Sequence, residues 1–478
     1  MGCEEEVGFA VSYDGGKRFV DAHQGDLEGS IPDDAVGSGQ FLKNGGRFYV
    51  TMHPEICTPE VTTLDDFGEH VRSNEELLVD IAGNFLLSGG RSEHGLQADE
   101  AIVRIQRRVV DGHGNRWGMH DNFGVYDQLA ALYADDSNAE RVFFGQIKSR
   151  SIQTGAGHVT SDKLAFSQKI DGLVDIQRYG NKGSVHRFTS DEGFRHEIRC
   201  GDINISDWAV RMRPGSMVLS SMISQTPVPD KLLGPPAKKV ISQSISANII
   251  ELREDGTLAP SPRLIDCIDY QQRLAEYALT ELPKFIGPLS DDHRETAEDQ
   301  YDFCDDMRMV TSGDATIKLL ANRADWAAKM YVIQKKVQAA NANGAHRTMH
   351  DHQAQALDMA YDRIEVGMKD GELQKPEYGW GYMLRDRNAF LDTVPQGYVD
   401  QAYNNAPLTT RASIRSKLFK EYEVRIATWD EVQVIPEIPN RNSMNPYIKI
   451  ELPDVTQIKL TPEQQLALRQ AARKQPPS

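Results

Sequence analysis

Two glutamates near the N-terminus, Glu4 and Glu6, have the spacing of a metal site. On a strand, alternate residues point to the same face, so these two carboxylates would lie about 7 Å apart. Carboxylates this close repel each other unless a cation lies between them. Oxygen ligands of this kind suit Mg²⁺, which keeps waters and often binds phosphate oxygens as well. The alternative is a solvated acidic N-terminus without a ligand.

The segment "GRFYVTMHPEICTPE", residues 46–60, begins as a strand with an unusual polar face. Alternation along that strand places Arg47, Tyr49 and Thr51 on one side, and Phe48 and Val50 on the other. A face made of a guanidinium, a phenol and a hydroxyl group is poorly suited to an apolar core. We therefore consider it a candidate binding surface.

The same segment ends in a stiff turn with a second pair of carboxylates. Pro54 and Pro59 stand directly before Glu55 and Glu60 and fix the backbone φ angle there. A rigid acidic turn next to the Arg–Tyr face is one way to build a site for a metal-bound nucleotide. The alternative is a turn at the rim of a sheet that only ends a strand.

A glycine-rich segment, "DGHGNRWGMHDNFGV" (residues 111–125), carries His120, Asp121 and Asn122 after Gly118. Glycine lets the backbone approach a ligand closely, which favours a binding site. The segment matches neither the P-loop nor the dinucleotide-binding pattern. It is therefore a candidate site without a known phosphate motif.

Further along, Arg187, Arg195 and Asp202 lie in a stretch where arginines and histidines alternate on predicted strands. Such a set could hold an anionic substrate or a phosphoryl group during transfer. The alternative is a ladder of ion pairs on the protein surface.

The elements that position these residues change character along the chain. Strands and glycine-rich loops dominate the first 220 residues, and helical periodicity dominates from about residue 264. We predict helices over 66–87, 264–282, 325–342 and 353–368, a helix that starts within 120–136 after its first turn, and a strand over 424–435. This order predicts an α+β fold in which helices cover an antiparallel sheet.

Composition narrows the compartment and the partners. The 478 residues have a net charge of −17, which argues against nucleic acid or an anionic membrane as the main partner. No apolar run reaches the roughly 18 residues of a membrane span. The N-terminus "MGCEEEVGF" lacks the features of a secretion signal, and five scattered cysteines fit a reduced compartment without a zinc site. We expect a cytoplasmic protein.

Several segments, in order along the chain, resemble the Pup–protein ligase and depupylase (deamidase of Pup) family. "GCEEEVG" resembles that family's G-x-E-x-E-x-G, "NGGRFYV…HPEICTPE" resembles its "NGARFYVD…HPEYSTPE", and "VDGHGNRWGMHDN" resembles its "VDGKGxSYGTHEN". The segments "FSQK", "GDINISD", "LSSMI", "LDMAYDRI", "PLTTRASIR" and "ATWDEV" also have counterparts in order. The resemblance is nearer to the depupylase branch, although the insertion usual in that branch is short or absent.

The resemblance implies a glutamine-synthetase-like fold, with a curved antiparallel sheet forming a cradle for ATP and Mg²⁺. It implies a large domain over residues 1–400 and a small C-terminal domain over 401–478. The positions that match the family's magnesium ligands are Glu4, Tyr49 and Glu55, and those that match its ATP contacts are Arg47, Thr58 and Trp429. Further candidates without a firm match are Glu6, Glu60, His120, Asn122, Arg187, Arg195 and Asp202.

Thr51 is the main departure from the family pattern, because the family has an aspartate there that acts as base or nucleophile. A threonine hydroxyl is not a useful base near neutral pH. Losing a general base typically costs about 10²–10⁴-fold in rate, roughly 3–5 kcal/mol. Asp65, Asp66 or Glu60 could replace the missing carboxylate only if the turn is rearranged.

Three functions remain open. The first is an ATP-dependent enzyme acting at the C-terminal Glu or Gln of a Pup-like protein tag, with tagged proteins as the further partners. The second is a pseudoenzyme that binds nucleotide and tag without turnover, as Thr51 favours. The third is a carboxylate–amine ligase that uses a small amine. Neither the reaction direction nor the oligomeric state follows from these residues.

Overall fold

The computed structural model describes residues 1–31, 41–51, 53–96, 100–108, 119–126, 137–169, 185–190, 193–199, 201–233, 248–427, 429–437, 447–452 and 456–471. The chain forms two compact units. The first comprises Met1–Arg107, Ile364–Glu377 and Val394–Ser478, and the second comprises Arg108–Arg363 and Tyr378–Thr393. These units do not coincide with the predicted segments 1–400 and 401–478, so that domain boundary stays a prediction.

The strands in the described residues are short. They are β1 Gly2–Glu6, β2 Gly8–Ser12, β3 Val20–Asp21, β4 Arg47–Val50, β5 Pro54–Cys57, β6 Ala101–Gln106, β7 Met119–Tyr126, β8 His158–Val159, β9 Leu164–Ala165, β10 Val185–Ser190, β11 Gly193–Ile198, β12 Ile249–Ile250, β13 Arg363–Lys369, β14 Glu372–Leu373, β15 Glu377–Tyr378, β16 Val424–Ala427, β17 Glu431–Val434 and β18 Ile448–Glu451.

The α-helices in the described residues are longer and lie mostly after residue 137. They are α1 Gln24–Glu28, α2 Leu64–Leu87, α3 Asn138–Ser149, α4 Ser151–Thr154, α5 Asp207–Ser224, α6 Pro262–Thr280, α7 Pro283–Ile286, α8 Asp291–Ser312, α9 Asp325–Ala342, α10 His352–Met359, α11 Trp380–Asp386, α12 Gln396–Asn404, α13 Arg411–Glu421 and α14 Pro462–Leu468. None of them combines the length and the apolar character that a membrane span needs.

The first unit contains three sets of antiparallel strands. One has the order β1–β5–β4, another the order β14–β13–β6–β2–β3, and the third the order β16–β17–β18. Strand β6 shows why these segments pair: Ala101, Val103 and Ile105 are buried, and the residues between them are half-buried. This period of two suits a strand whose one face packs on a core.

The longest helix of the first unit, α2, has a well-defined N-terminus. The side chain of Thr63 accepts a hydrogen bond from the Asp66 N–H, and Asp65 and Asp66 place negative charge in the first turn. Both features stabilise a helix start, because the first N–H groups have no partners within the helix.

The second unit is mainly helical, with strands in the orders β7–β11–β10 and β8–β9–β12. Its core contains two tryptophans, each packed against a phenylalanine. Trp208 stacks on Phe303 with ring centroids 5.1 Å apart, and Trp326 meets Phe166 edge-on at 4.7 Å. All four side chains are almost fully buried, so this core fixes helices α5, α8 and α9 of the unit.

The α+β prediction is confirmed, with antiparallel pairing in the registered strand pairs and helices concentrated after residue 137. The helices predicted over 66–87, 264–282 and 325–342 are also confirmed, with ends that differ by two residues or less. The final strand over 424–435 is instead the two paired strands β16 and β17.

Two helix predictions are wrong in part. Residues 123–126 lie in strand β7, where Met119 and Asp121 are buried and His120 and Asn122 are half-buried; residues 127–136 lie outside the described part. The predicted helix over 353–368 ends at Met359 and gives way to β13. In both places a period of two along the chain competes with the helical period, and strand pairing decides the outcome.

Candidate functional site

One face of the β1–β5–β4 sheet carries most of the residues predicted to bind metal and nucleotide. Residues directly opposite each other in an antiparallel pair share a face. The register gives two cross-strand rows on this face, Glu6–Glu55–Tyr49 and Glu4–Cys57–Arg47. The N-terminal acids Glu4 and Glu6 therefore meet the later Arg–Tyr strand and Glu55 on one surface within the first unit. We call these six residues the front face.

The carboxylates of the front face repel each other. Burial raises the pKa of Glu55 to about 8, together with a hydrogen bond to Glu4 and the Glu4 charge, and Glu6 adds a smaller repulsion. A hydrogen bond from Thr51 acts in the opposite direction. Two acids that hold a proton between them are placed to hold a cation instead.

Cys57 separates Glu4 from Arg47 in the second row. Its Sγ lies 3.6 Å from Glu4 Oε1 and donates to that carboxylate. Burial, and then the charges of Glu4 and Glu55, raise the pKa of the Cys57 thiol well above its usual value. Cys57 is therefore a neutral donor at this site and not a thiolate ligand.

Oxygen donors on the front face fit a hard divalent cation. Glu4 and Glu55 supply carboxylate oxygens at one place, and Tyr49 lies opposite Glu55 in the same row. A cation between the two carboxylates removes the repulsion that raises the pKa of Glu55. Carboxylates combined with waters and phosphate oxygens are the usual environment of Mg²⁺. The residues therefore fit the expected metal.

The arginine of the front face lies among aromatic rings. The guanidinium carbon of Arg47 lies 4.6 Å from the ring centroid of Tyr49 and 5.7 Å from that of Phe41. Such stacking holds the planar cation in a defined orientation. Arg47 is half-buried, so part of this side chain stays accessible while the aromatic rings orient it.

Phe41 connects Arg47 to Trp429, another predicted nucleotide contact of this unit. The rings of Phe41 and Trp429 meet edge-on with centroids 5.1 Å apart. The guanidinium of Arg415 lies 4.7 Å from Phe41 and 5.0 Å from Trp429, and it donates to the Trp429 carbonyl at 2.8 Å. Sequence analysis missed Phe41, because no motif distinguishes it from any other apolar residue.

Thr51 lies in the three-residue loop that joins β4 to β5. Its side chain is exposed, and its Oγ1 donates to Glu55 Oε1 at 2.5 Å. Its N–H donates to the His53 carbonyl at 3.1 Å. The position at which the resemblance implies an aspartate is thus occupied by a hydrogen-bond donor to Glu55.

Thr58, predicted to contact ATP, is buried and fastens β1 to the end of β5. Its Oγ1 accepts from the Cys3 N–H at 2.9 Å, and its own N–H donates to the Cys3 carbonyl at 2.9 Å. These contacts give Thr58 a structural task, and a contact with nucleotide stays a prediction.

Glu60 lies apart from the front-face carboxylates, in an ion-paired cluster. Its carboxylate accepts from Arg415 at 2.6 Å and from Arg411 at 2.9 Å. Burial alone would raise the pKa of Glu60, but the two guanidiniums outweigh burial and lower the pKa to about 2. Glu60 is therefore fully ionised and held by α13. Asp65 and Asp66 lie in the first turn of α2.

The opposite face of the same sheet carries an acid that sequence analysis missed. Glu5 is fully buried, and Arg107 donates to its two oxygens at 2.9, 3.1 and 3.2 Å. Arg107 also donates to Glu75, whose other oxygen lies 3.7 Å from Arg72 Nε. A buried charge needs such partners, so this network anchors β1.

In the second unit, two of the predicted acids are held by buried donors. Asp121 accepts from Arg213 at 2.7 Å and from Arg150 at 3.2 Å. Asp202 accepts from the N–H groups of Ala156 and Gln168. Burial raises the pKa of Asp202, and these N–H donors act against that effect.

The other predicted residues of the second unit lie on β7, β10 and β11. His120 Nδ1 lies 3.8 Å from Glu197 Oε1, and Glu197 also accepts from Arg199. Asn122 lies opposite Glu197 in the β7–β11 register. Arg187 and Arg195 belong to β10 and β11, and their side chains lie outside the described residues. A role for these residues in binding an anion stays a prediction.

Comparisons with known proteins agree on one family. The Pup-ligase protein family model matches residues 4–433. The Pup–protein ligase of Acidimicrobium ferrooxidans is 24% identical over 442 residues, which cover 88% of each chain. That of Corynebacterium kroppenstedtii is 25% identical over 457 residues, which cover 88% of this chain and 87% of the relative.

Two solved structures share the fold. The complex between the prokaryotic ubiquitin-like protein Pup and its ligase PafA has a TM-score of 0.71 at 20% identity, covering 98% of this chain and 91% of that chain. The Pup ligase PafA in complex with ADP has a TM-score of 0.67 at 20% identity, covering 91% and 90%.

Proposed function

The chain belongs to the Pup-ligase family, and we propose that it binds Mg-ATP and acts at the C-terminal Glu or Gln of a Pup-like protein tag. The bond concerned is the isopeptide or side-chain amide bond of that residue. The observation that carries the proposal is the shared face on which Glu4, Glu55 and Arg47 meet within the first unit. A solved relative bound to ADP supports the nucleotide, and another bound to Pup supports the tag.

Four of the six front-face residues have a role in this proposal. Glu4 and Glu55 would hold the metal, and Tyr49, which lies opposite Glu55, would offer it a further oxygen. Magnesium, when bound, neutralises charge on the phosphate oxygens of ATP. Arg47, fixed by its aromatic neighbours, opposes the charge on the γ-phosphate. Phosphoryl transfer depends mainly on such positioning and charge.

In the ligation direction, the γ-phosphoryl group of ATP passes to the side-chain carboxylate of the C-terminal Glu, and ADP leaves. A lysine amine of the target then attacks the acyl phosphate, forms the isopeptide bond and releases phosphate. In the hydrolytic direction, water attacks the isopeptide carbonyl and the lysine amine leaves. The curated relatives bear the name Pup–protein ligase, which supports ligation. The motif resemblance is nearer to the depupylase branch.

A second candidate function is a pseudoenzyme that keeps nucleotide and tag affinity without turnover. The observation in its favour is Thr51, a hydroxyl donor bonded to Glu55 at the family's aspartate position. A general base there would contribute about 10²–10⁴-fold to the rate. Binding of Mg-ATP does not require it.

The experiment uses the purified full chain with Mg²⁺, ATP and synthetic peptides. A peptide ending in Gly-Gly-Glu, with a lysine-containing acceptor, tests ligation. The same peptide joined to a fluorescent lysine through an isopeptide bond tests hydrolysis. We expect Mg²⁺-dependent turnover in one of the two assays. This turnover should be lost in Glu4→Gln and kept in the exposed control Glu28→Gln.

Two other outcomes are informative. If the wild type binds the tag without turnover and Thr51→Asp gains turnover, the chain is a pseudoenzyme. Absence of both nucleotide and tag binding contradicts the proposal.

A further inference from the structure

The loop between β4 and β5 brings a hydroxyl group against a carboxylate that faces another carboxylate. Val50 and Pro54 form the last registered pair, so the loop holds only residues 51–53. The Thr51 N–H donates to the His53 carbonyl across it. A loop this short leaves the backbone of Thr51 little freedom, and its side chain lies beside Glu55.

The hydrogen bond has a definite direction. A carboxylate oxygen accepts, so Thr51 Oγ1 uses its one proton in donating to Glu55 Oε1 at 2.5 Å. Glu55 is only 7% exposed, and water has little access to satisfy that oxygen if the hydroxyl is removed. A cation next to Glu55 would ionise this carboxyl group, and a hydrogen bond to an ionised carboxylate is stronger and more specific in geometry than one between neutral groups.

We propose that Thr51 is a positioning residue: its hydroxyl holds Oε1 of Glu55 and thereby orients this carboxylate for a divalent cation shared with Glu4. The inference rests on the proposed function, because it concerns the metal that the proposed function requires. In this chain Thr51 orients the metal ligand Glu55 and takes no proton from a substrate.

General chemistry supports this role. Ligands of a metal are commonly hydrogen-bonded by groups outside the coordination sphere, and losing such a partner typically costs about 10–100-fold in metal affinity. Valine has nearly the shape of threonine but cannot donate. Serine keeps the donor and loses only the methyl group. The pair Thr51→Val and Thr51→Ser therefore separates the hydrogen bond from the shape of the side chain.

The test measures Mn²⁺ binding to the full chain by electron paramagnetic resonance, with and without ATP. We expect Thr51→Val to weaken Mn²⁺ binding about 10–100-fold and to change the spectrum of bound Mn²⁺, and Thr51→Ser to restore both. Thr62→Val is the matched control, because Thr62 is an exposed threonine whose hydroxyl also makes a hydrogen bond, to Thr409. It should bind Mn²⁺ like the wild type.

Each outcome decides a different statement. If the wild type binds Mn²⁺ and Thr51→Val binds it equally well, the positioning role is wrong and the proposed function stands. If the wild type binds no Mn²⁺ in the presence of ATP, the proposed function fails and the inference fails with it. Thr51→Ala replaces Thr51→Val if the valine variant does not fold, with the same expected loss.

Discussion

The front face and the opposite face of the β1–β5–β4 sheet use the same residue type for opposite purposes. Glu4, Glu5 and Glu6 are consecutive on β1. Glu5 points to the side where Arg107 donates to both of its oxygens. Glu4 points to the other side, where it shares a hydrogen bond with Glu55. Glu4 and Glu5 are adjacent in sequence, but Glu5 is ion-paired with an arginine, whereas Glu4 repels another carboxylate.

On the single strand β1, one face contributes to stability and the other carries the proposed binding site. A buried ion pair with complete hydrogen bonding fixes the strand but offers nothing to a ligand. Two acids held together store electrostatic repulsion that a cation relieves. The Glu5 network therefore stabilises β1, whereas the repulsion on the front face destabilises it. The same Glu→Gln substitution should change the free energy of unfolding differently on the two faces.

The largest expected effect is on the opposite face. Glu5→Gln removes the negative charge next to the buried guanidinium of Arg107, so we expect a loss of about 3–5 kcal/mol in the free energy of unfolding. Glu6→Gln, on the front face of the same strand, removes a repulsive charge and should cost less than about 0.5 kcal/mol. Urea denaturation of both variants measures the difference. Equal losses would remove the distinction between the faces.

The stability of the chain at low pH should depend on a second ion-paired carboxylate, Glu60. Its pKa is lowered from 4.5 to about 2 in the folded chain. Its contribution to stability is therefore fully present above about pH 4.5 and is lost as the pH falls towards 2. We expect Glu60→Gln to reduce stability near pH 7 and to flatten the loss of stability between pH 4.5 and 2.

The control for this pH profile is Glu421→Gln. Glu421 is an exposed glutamate whose oxygen lies 3.9 Å from Lys417 on the same helix, α13. Exposed pairs of this kind contribute about 0.3–0.5 kcal/mol. Thermal unfolding followed across this pH range should therefore give nearly the wild-type profile for Glu421→Gln. A Glu60→Gln profile that also follows the wild type would show that the two arginines do not hold Glu60.

The smallest expected effect concerns Arg47. Arg47→Met keeps an unbranched side chain next to Tyr49 but removes the charge, so we expect ATP affinity to fall about tenfold, roughly 1.4 kcal/mol. Stability should change by less than about 0.5 kcal/mol. Fluorescence titration with an ATP analogue measures the affinity. Unchanged affinity would place the phosphates away from the front face.

Strand alternation made part of the front face predictable. It placed Glu4 with Glu6, and Arg47 with Tyr49, before any pairing was known. The rows themselves depend on β1 pairing with β5 across about 50 residues, and local patterns do not encode that register. The collinear resemblance supplied what alternation could not: which of these residues belong to one site.

Glu5 and Phe41 show what sequence could not provide. Glu5 looks like its neighbours until Arg107, 102 residues later, is placed against it. Phe41 matters because Trp429 packs on its ring and the guanidinium of Arg47 lies over it. For Thr51 the sequence indicated a missing carboxylate, and the structure adds the hydrogen bond to Glu55 that gives the hydroxyl a task.

Isothermal titration of the wild type and of Glu4→Gln with ATP, with and without Mg²⁺, is the most direct test of whether the front face binds Mg-ATP. We expect the wild type to bind ATP in a Mg²⁺-dependent manner. We expect Glu4→Gln to lose at least about 100-fold of that affinity, because losing a partner that only supports a metal ligand already costs about 10–100-fold. Equal Mg²⁺-dependent affinity in the two proteins would contradict this expectation.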